Sequence, residues 1–129
     1  MISILIPIYN FDVRLLVEKL HHQGNLLTVD FEIICVDDAS SEDFKAINQT
    51  VAGLSAVRLI ELDKNIGRAA IRNFLASEAH FPYLLFMDGD SAPLDNNYLK
   101  RYQDQLSPKA LLYGGRCYQA SAPIEKNLY

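Results

Sequence analysis

Five short apolar runs, set at near-even intervals, constrain this chain more than any other feature. They occupy residues 2–7 (ISILIP), 31–36 (FEIICV), 57–62 (VRLIEL), 83–87 (YLLFM) and 110–113 (ALLY). Most are rich in β-branched or aromatic residues, and their apolar residues follow one another rather than alternating. A strand reads this way when both of its faces are covered, as in a parallel sheet. Half of the chain is apolar and 22% is charged, so a proper core can form around such a sheet.

Helical periodicity fills the intervals. Val13, Leu16, Val17 and Leu20 recur at i, i+3, i+4 and i+7 and make one apolar stripe. Phe44, Ile47 and Val51 repeat the pattern after Ser40 and Ser41, where a serine can cap the helix and Glu42 and Asp43 suit the positive end of its dipole. Ile66, Ala69, Ala70, Asn73, Phe74 and Ser77 continue a third helix, whose small residues would let it lie close to the sheet. Asp95 can cap a fourth, carrying Tyr98, Leu99, Tyr102 and Leu106. Strand–helix alternation of this kind predicts right-handed βαβ units and a doubly wound, mostly parallel, Rossmann-like α/β sheet. With 129 residues the chain makes one domain over 1–129, with no room for two.

Several classes of function fall away on bulk grounds. A net charge of −4 with no basic stripe argues against general affinity for nucleic acid. No run is long enough to cross a bilayer, and Met1 leads straight into a strand without a basic leader, so the cytoplasm is the expected compartment. Cys35 and Cys117 lie far apart in runs that read as strand, and both are expected to be core or near-core thiols. His21 and His22 lack a third ligand for a metal site, and His80 reads as a helix-end residue.

In a sheet of this type ligands bind at the carboxyl ends of the strands. The chemically unusual residues collect there. Pro7-Ile8-Tyr9-Asn10 follows the first run, Asp37-Asp38-Ala39-Ser40 the second, Asp63-Lys64-Asn65-Ile66-Gly67 the third and Asp88-Gly89-Asp90 the fourth. The alternate carboxylates of Asp88 and Asp90 can reach one hard cation completed by water and phosphate oxygens, although an acidic turn has the same composition. Asp37 and Asp38 are more acid than helix capping needs and suit contact with a ribose or a base N–H. Arg68 and Arg72, one turn apart, can pair with Asp38 or Asp88 or meet a diphosphate; a solvated basic face is the alternative. Tyr9 can stack on a base or simply pack at a strand end.

Taken jointly, the Pro-Ile-Tyr-Asn turn, Val36-Asp37-Asp38-Ala39-Ser40, Asn65-Ile66-Gly67 with Arg72-Asn73, and Met87-Asp88-Gly89-Asp90 stand in an order and spacing that resembles the N-terminal half of the family 2 glycosyltransferases, which have the GT-A fold. The likeness covers about the first 115 residues. It implies that the backbone of Pro7, Ile8 and Tyr9, together with Asp38, holds the nucleobase, usually uracil. It further implies that Asn65 belongs to the donor site, that Asp88 lies near the ribose, and that Asp90 (with Asp88) ligates Mn²⁺ or Mg²⁺ on the diphosphate. Arg72 would support the acidic rim. The implied reaction is sugar transfer from a nucleoside diphosphate to an acceptor hydroxyl, with the acceptor itself unspecified.

The chain departs from the family in length. Members usually continue well past the Asp-x-Asp motif into the region that supplies the catalytic base and the acceptor site. Here only Glu125 is acidic after Asp104, and nothing marks it as the base. The expectation is an N-terminal piece that keeps donor binding and lacks the base and efficient transfer. Its apolar face, left uncovered, would promote self-association. Two rivals share the fold class. A phosphoacceptor receiver-like signalling module would need an acid pair after the first run, where none stands. A nucleotidyltransferase would usually carry a glycine-rich loop there, and no glycine occurs between Met1 and Gln23. A donor-binding or pairing module without catalysis is the third alternative.

Overall fold

The computed structural model describes residues 1–117. In chain order the elements are β1 (Ile2–Ile8), α1 (Arg14–Gly24), β2 (Phe31–Asp37), α2 (Glu42–Asn48), a 3₁₀ turn (Gln49–Gly53), β3 (Val57–Glu61), α3 (Arg68–Glu78), β4 (Tyr83–Phe86) and α4 (Tyr98–Asp104). The four strands form one sheet in the order β3-β2-β1-β4, and every pairing is parallel. Ile2 stands opposite both Phe31 and Tyr83, so β1 is the central register strand.

This order follows from where the apolar residues are needed. Ile2, Ile4, Ile6 and Ile8 of β1, with Ile33 and Cys35 of β2, pack under Val13, under Leu16, Val17 and Leu20 of α1, and under Leu99 of α4. Leu5, Ile34 and Val36 point the other way and pack under Ile71 and Leu75 of α3. Helices therefore cover both faces, the doubly wound α/β arrangement that the sequence predicts. Each fully buried isoleucine or leucine contributes about 1.5–3 kcal/mol relative to exposure, which is why β1 can be apolar without alternation. The chain moves outward from β1 through β2 to β3, then crosses back over the sheet through α3 to lay β4 on the far side of β1. Such a reversal opens a crevice at the carboxyl end of the sheet.

Five of the sequence expectations are corrected. Residues 110–113 form no strand: they make no ladder pairing, and Leu111 and Tyr113 are almost fully exposed. Cys117 accordingly lies exposed, unlike Cys35, whose burial pushes its thiol up to about 12. The buried face of α3 is Ile71 and Leu75, while Ala69, Ala70, Asn73 and Ser77 face outward. An alanine-rich helix offers two plausible stripes, and the larger side chains won the core. Ser41 occupies the N-cap of α2 with extended backbone but makes no side-chain cap bond. The hydroxyl of Ser40 is used elsewhere, as described below. Asp95 accepts the Asn97 N–H at 2.9 Å, in the turn before α4 rather than at its cap.

On the α3 side of β4, Leu84 and Phe86 are each about two-fifths exposed, and the outer edge of β4 has no partner among the described residues. No helix among the described residues is long and apolar enough to cross a membrane.

Candidate functional site

The crevice between β1 and β4 is held narrow by a glycine. A Cβ on Gly89 would meet the Pro7 carbonyl oxygen at 3.0 Å and Val13 Cγ1 at 3.2 Å, so any side chain there would press the two loops apart by a few tenths of an ångström. The chain beyond β4 still runs beside β1, since the Met87 N–H donates to the Leu5 carbonyl at 3.0 Å. Asp88 and Asp90 are thereby delivered to the strand ends, next to the β1 exit that carries Pro7, Ile8 and Tyr9. Pro7 and Ile8 are still within β1, Ile8 buried, whereas the Tyr9 ring is 59% exposed on the rim.

The loop after Tyr9 is fixed by side chains of other segments. Asn10 adopts a left-handed conformation, φ 47°. Its N–H donates to Ser40 Oγ at 2.8 Å, and its Oδ1 accepts the Ser41 N–H at 2.9 Å. Beneath it lies Asn48, 1% exposed. Asn48 Oδ1 accepts the Val13 N–H at 3.0 Å and its Nδ2 donates to the Phe11 carbonyl at 2.8 Å.

The two acids after β2 do different things. Asp37 is buried; its Oδ1 accepts the Ser40 N–H at 2.7 Å and its Oδ2 has no partner among the described residues. Asp38 reaches across to the start of α3, where its two oxygens accept the N–H groups of Ile66 at 2.7 Å and Gly67 at 3.0 Å. Asn65 completes the link by donating Nδ2 to the Asp38 carbonyl at 3.0 Å. Gly67, at the N-cap of α3, has φ 83° and ψ 169°, a region that essentially only glycine enters. The expected donor residues Asp38 and Asn65 are therefore joined to one another.

Arg72 projects from α3 and pairs with Asp88, each about two-fifths exposed. Arg116 lies 4.0 Å from the other oxygen of Asp88. Arg68 makes no ion pair among the described residues, and Asp90 is exposed and likewise unpaired among them. A cleft of about 360 Å³ opens beside Asp90, with Phe11, Leu15 and Lys19 on its α1 wall. The rim thus joins Pro7, Ile8, Tyr9, Asp38, Asn65, Arg72, Asp88 and Asp90 along the ends of the four strands. His21 stays apart, bonded to Ser55 at 3.1 Å.

Among the described residues no group of three or more His, Cys, Asp or Glu converges, so the protein builds no closed metal cage there. The donor set still suits a hard cation. Mg²⁺ and ions like it are commonly held by one or two carboxylates together with substrate phosphates, and Asp90 has both of its oxygens free of ion pairs.

Sequence reasoning placed Asn10 and Ser40 at the rim without their mutual pairing, and missed Asn48. One signal was present for Asn48: it lies four residues after Phe44, an amide in the inward phase of a helix.

A family model described as glycosyl transferase family 2 matches residues 3–125. CsbB of Bacillus subtilis (strain 168), named as a glycosyltransferase, is 30% identical over 112 residues, covering 81% of this chain and 33% of CsbB. Among solved structures, S. aureus TarS 1-349 in complex with UDP-GlcNAc superposes with a TM-score of 0.68 at 24% identity. The match covers 80% of this chain and 30% of that one. A mannosyltransferase from Pyrobaculum calidifontis in complex with GDP-Man and Mn²⁺ gives 0.63 at 22% identity, over 76% of this chain and 30% of its own. At these identities the two structures speak for the fold. The chain spans a third or less of the length of the relatives it matches.

Proposed function

Because the chain belongs to glycosyl transferase family 2, as the match over residues 3–125 establishes, we propose that it binds a nucleoside-diphosphate sugar across the β1/β4 crevice. A UDP-sugar is the proposed donor, an acceptor hydroxyl the destination of the sugar, and residues 1–129 one donor-binding domain. The observation that carries this reading is the division of labour between the rim acids. Asp88 is already paired with Arg72, whereas Asp90 stands exposed on the same loop with its charge uncommitted among the described residues.

In this reading the base lies against Tyr9 and the backbone of Pro7 and Ile8. Asp38 has lone pairs left for a base N–H after fixing Ile66 and Gly67. Asn65 holds that corner by its bond to the Asp38 carbonyl. Asp88 faces the ribose, and Arg72 keeps it oriented. Asp90, assisted by Asp88, would hold Mn²⁺ or Mg²⁺ against the diphosphate. Such an ion neutralises the charge developing on the leaving group. The neighbours in complex with UDP-GlcNAc, and with GDP-Man and Mn²⁺, support a nucleotide sugar and a divalent ion as the ligands to test.

The test is thermal unfolding with UDP, GDP and dTDP, each with and without Mn²⁺, on wild type and Asp90→Ala. A ligand at a hundred times its dissociation constant adds about 2.7 kcal/mol, a rise of several degrees for a domain of this size. The expected result is a Mn²⁺-dependent rise with UDP that Asp90→Ala removes. No rise with any nucleotide would sink the reading.

A further inference from the structure

We propose that Asn48, beneath the rim and out of reach of any ligand, is a positioning residue that presets the β1–α1 loop for the nucleoside, with Asn10 and Ser40 closing the same loop from above. This rests on the donor-binding reading, which it deepens by saying what holds the nucleoside end of the site in shape.

Three observations converge. A primary amide with 1% exposure is costly to bury unless it is satisfied, and both of its functional ends are spent on one short segment. It accepts from Val13 and donates to Phe11, two residues of the segment that leads into α1, from 35 and 37 positions away in sequence. Second, the N–H of Val13, the N-cap residue of α1, has Asn48 Oδ1 as its partner, so removing the amide leaves a buried donor unpaired. Third, the loop contains a non-glycine residue in the left-handed region, Asn10, directly after the exposed Tyr9. That conformation is uncommon and persists only where its surroundings over-determine it. Here they do: Ser40 accepts the Asn10 N–H and Asn10 Oδ1 accepts the Ser41 N–H, a reciprocal pair. Both anchors come from the β2–α2 region, so α2 serves the site although no residue of it reaches the rim.

The consequence is that Tyr9 and the adjoining backbone are shaped before ligand arrives. Ligand binding then bears less of the cost of ordering the loop. The diphosphate end, carried by Asp88 and Asp90 after β4, shares no side-chain hydrogen bond with this lock among the described residues and meets it only by packing, Gly89 beside Val13 and Asp90 across the cleft from Phe11. The two ends of the site should respond differently to its loss.

The experiment is calorimetric titration with two probes, UDP with Mn²⁺ and inorganic pyrophosphate with Mn²⁺, on wild type, Asn48→Ala, Ser40→Ala and Asn10→Gly. Asn10→Gly keeps the left-handed backbone while removing the Ser41 acceptor, and both outer variants remain informative should Asn48→Ala fold poorly. The expected result is a tenfold or greater loss of UDP affinity in Asn48→Ala, a smaller loss of the same kind in the outer variants, and pyrophosphate affinity within twofold of wild type. Equal loss of both probes would mean a merely structural residue and would overturn the proposal. So would unchanged UDP affinity in all three variants. Failure of wild type to bind UDP at all would instead overturn the donor-binding reading, and the lock's purpose with it.

Discussion

Helix α3 is pinned at both ends by acids in or just after β2, and the two attachments are built differently. At the amino-end edge of the sheet, Glu32 accepts the Ser3 hydroxyl at 2.6 Å and the His80 N–H at 2.7 Å on one oxygen. Its other oxygen lies 2.9 Å from His80 Nδ1, and Ser3 Oγ in turn accepts the Phe81 N–H at 3.2 Å. At the carboxyl-end rim, Asp38 holds the start of α3 through Ile66 and Gly67. There the neighbours are not closed off: Asp37 keeps an oxygen without a partner among the described residues, and Asn10 and Ala39 sit at positive φ. Around Glu32 the bonds close into one network, although Arg58 Nε, on the neighbouring pair with Glu78, has no partner among the described residues and Ala56 before β3 also sits at positive φ. Unpaired atoms and positive φ therefore occur at both edges, and what sets the rim apart is its carboxylates with lone pairs to spare. A carboxylate whose bonds are closed serves stability, whereas one with free lone pairs can also serve a ligand.

Asp38→Ala should give the largest effect, because it touches both properties at once. Two charge-assisted bonds to backbone N–H groups are lost, so unfolding free energy should fall by about 3 kcal/mol. Nucleotide affinity should fall as well, measured per folded molecule by calorimetry below the melting transition. A variant that lost stability but bound UDP like wild type would break the comparison, since the rim would then be another structural clamp.

Glu32→Gln addresses the opposite end. Leaving the Ser3 hydroxyl and His80 N–H poorly matched should cost about 2 kcal/mol, seen as a lower midpoint in urea. Nucleotide affinity of the folded fraction should stay as it is. The same residue predicts a pH dependence. Burial pushes the Glu32 carboxyl up, but the bonds from Ser3 and from the His80 backbone and ring outweigh it and hold the group below the usual glutamate range. A carboxylate with a lowered folded value binds fewer protons in the native state than when unfolded. Its contribution is complete above the ordinary glutamate range and is lost as pH falls through the lowered value. The stability gap between wild type and Glu32→Gln should therefore narrow in acid. A gap independent of pH down to the unfolding transition would refute that account.

How far this was legible depends on the scale of the interaction. The four paired strands lie within a residue or two of their apolar runs, because a strand buried on both faces cannot hide its composition. The gathering of Tyr9, Asp38, Asn65 and Asp88 at one edge followed from topology alone. Residues 110–113 misled because four apolar residues show what could be buried without showing whether a partner strand is there. The face of α3 misled because Ala69 and Ala70 tolerate either side, and only packing against Leu5, Ile34 and Val36 selects Ile71 and Leu75. Asn48, Ser40 and Glu32 act through partners 29 to 48 positions away, and no local pattern encodes such pairings.

Arg72→Gln carries the smallest effect on stability and sharpens the comparison most finely. The pair with Asp88 is about two-fifths exposed on each side, and pairs of that kind are worth roughly 0–1 kcal/mol. The melting temperature should scarcely move. What should move is the balance between the two ligands of the rim. Removing the guanidinium leaves Asp88 and Asp90 less compensated, which favours a cation and disfavours an anion at short range. Mn²⁺ alone should then bind a few-fold more tightly, while UDP without metal should bind a few-fold more weakly. Titration of each ligand separately would show it. If both affinities changed in the same direction, the charge of Arg72 would not be acting at the rim, and Arg72 would belong with Glu32 among the residues that serve only the fold.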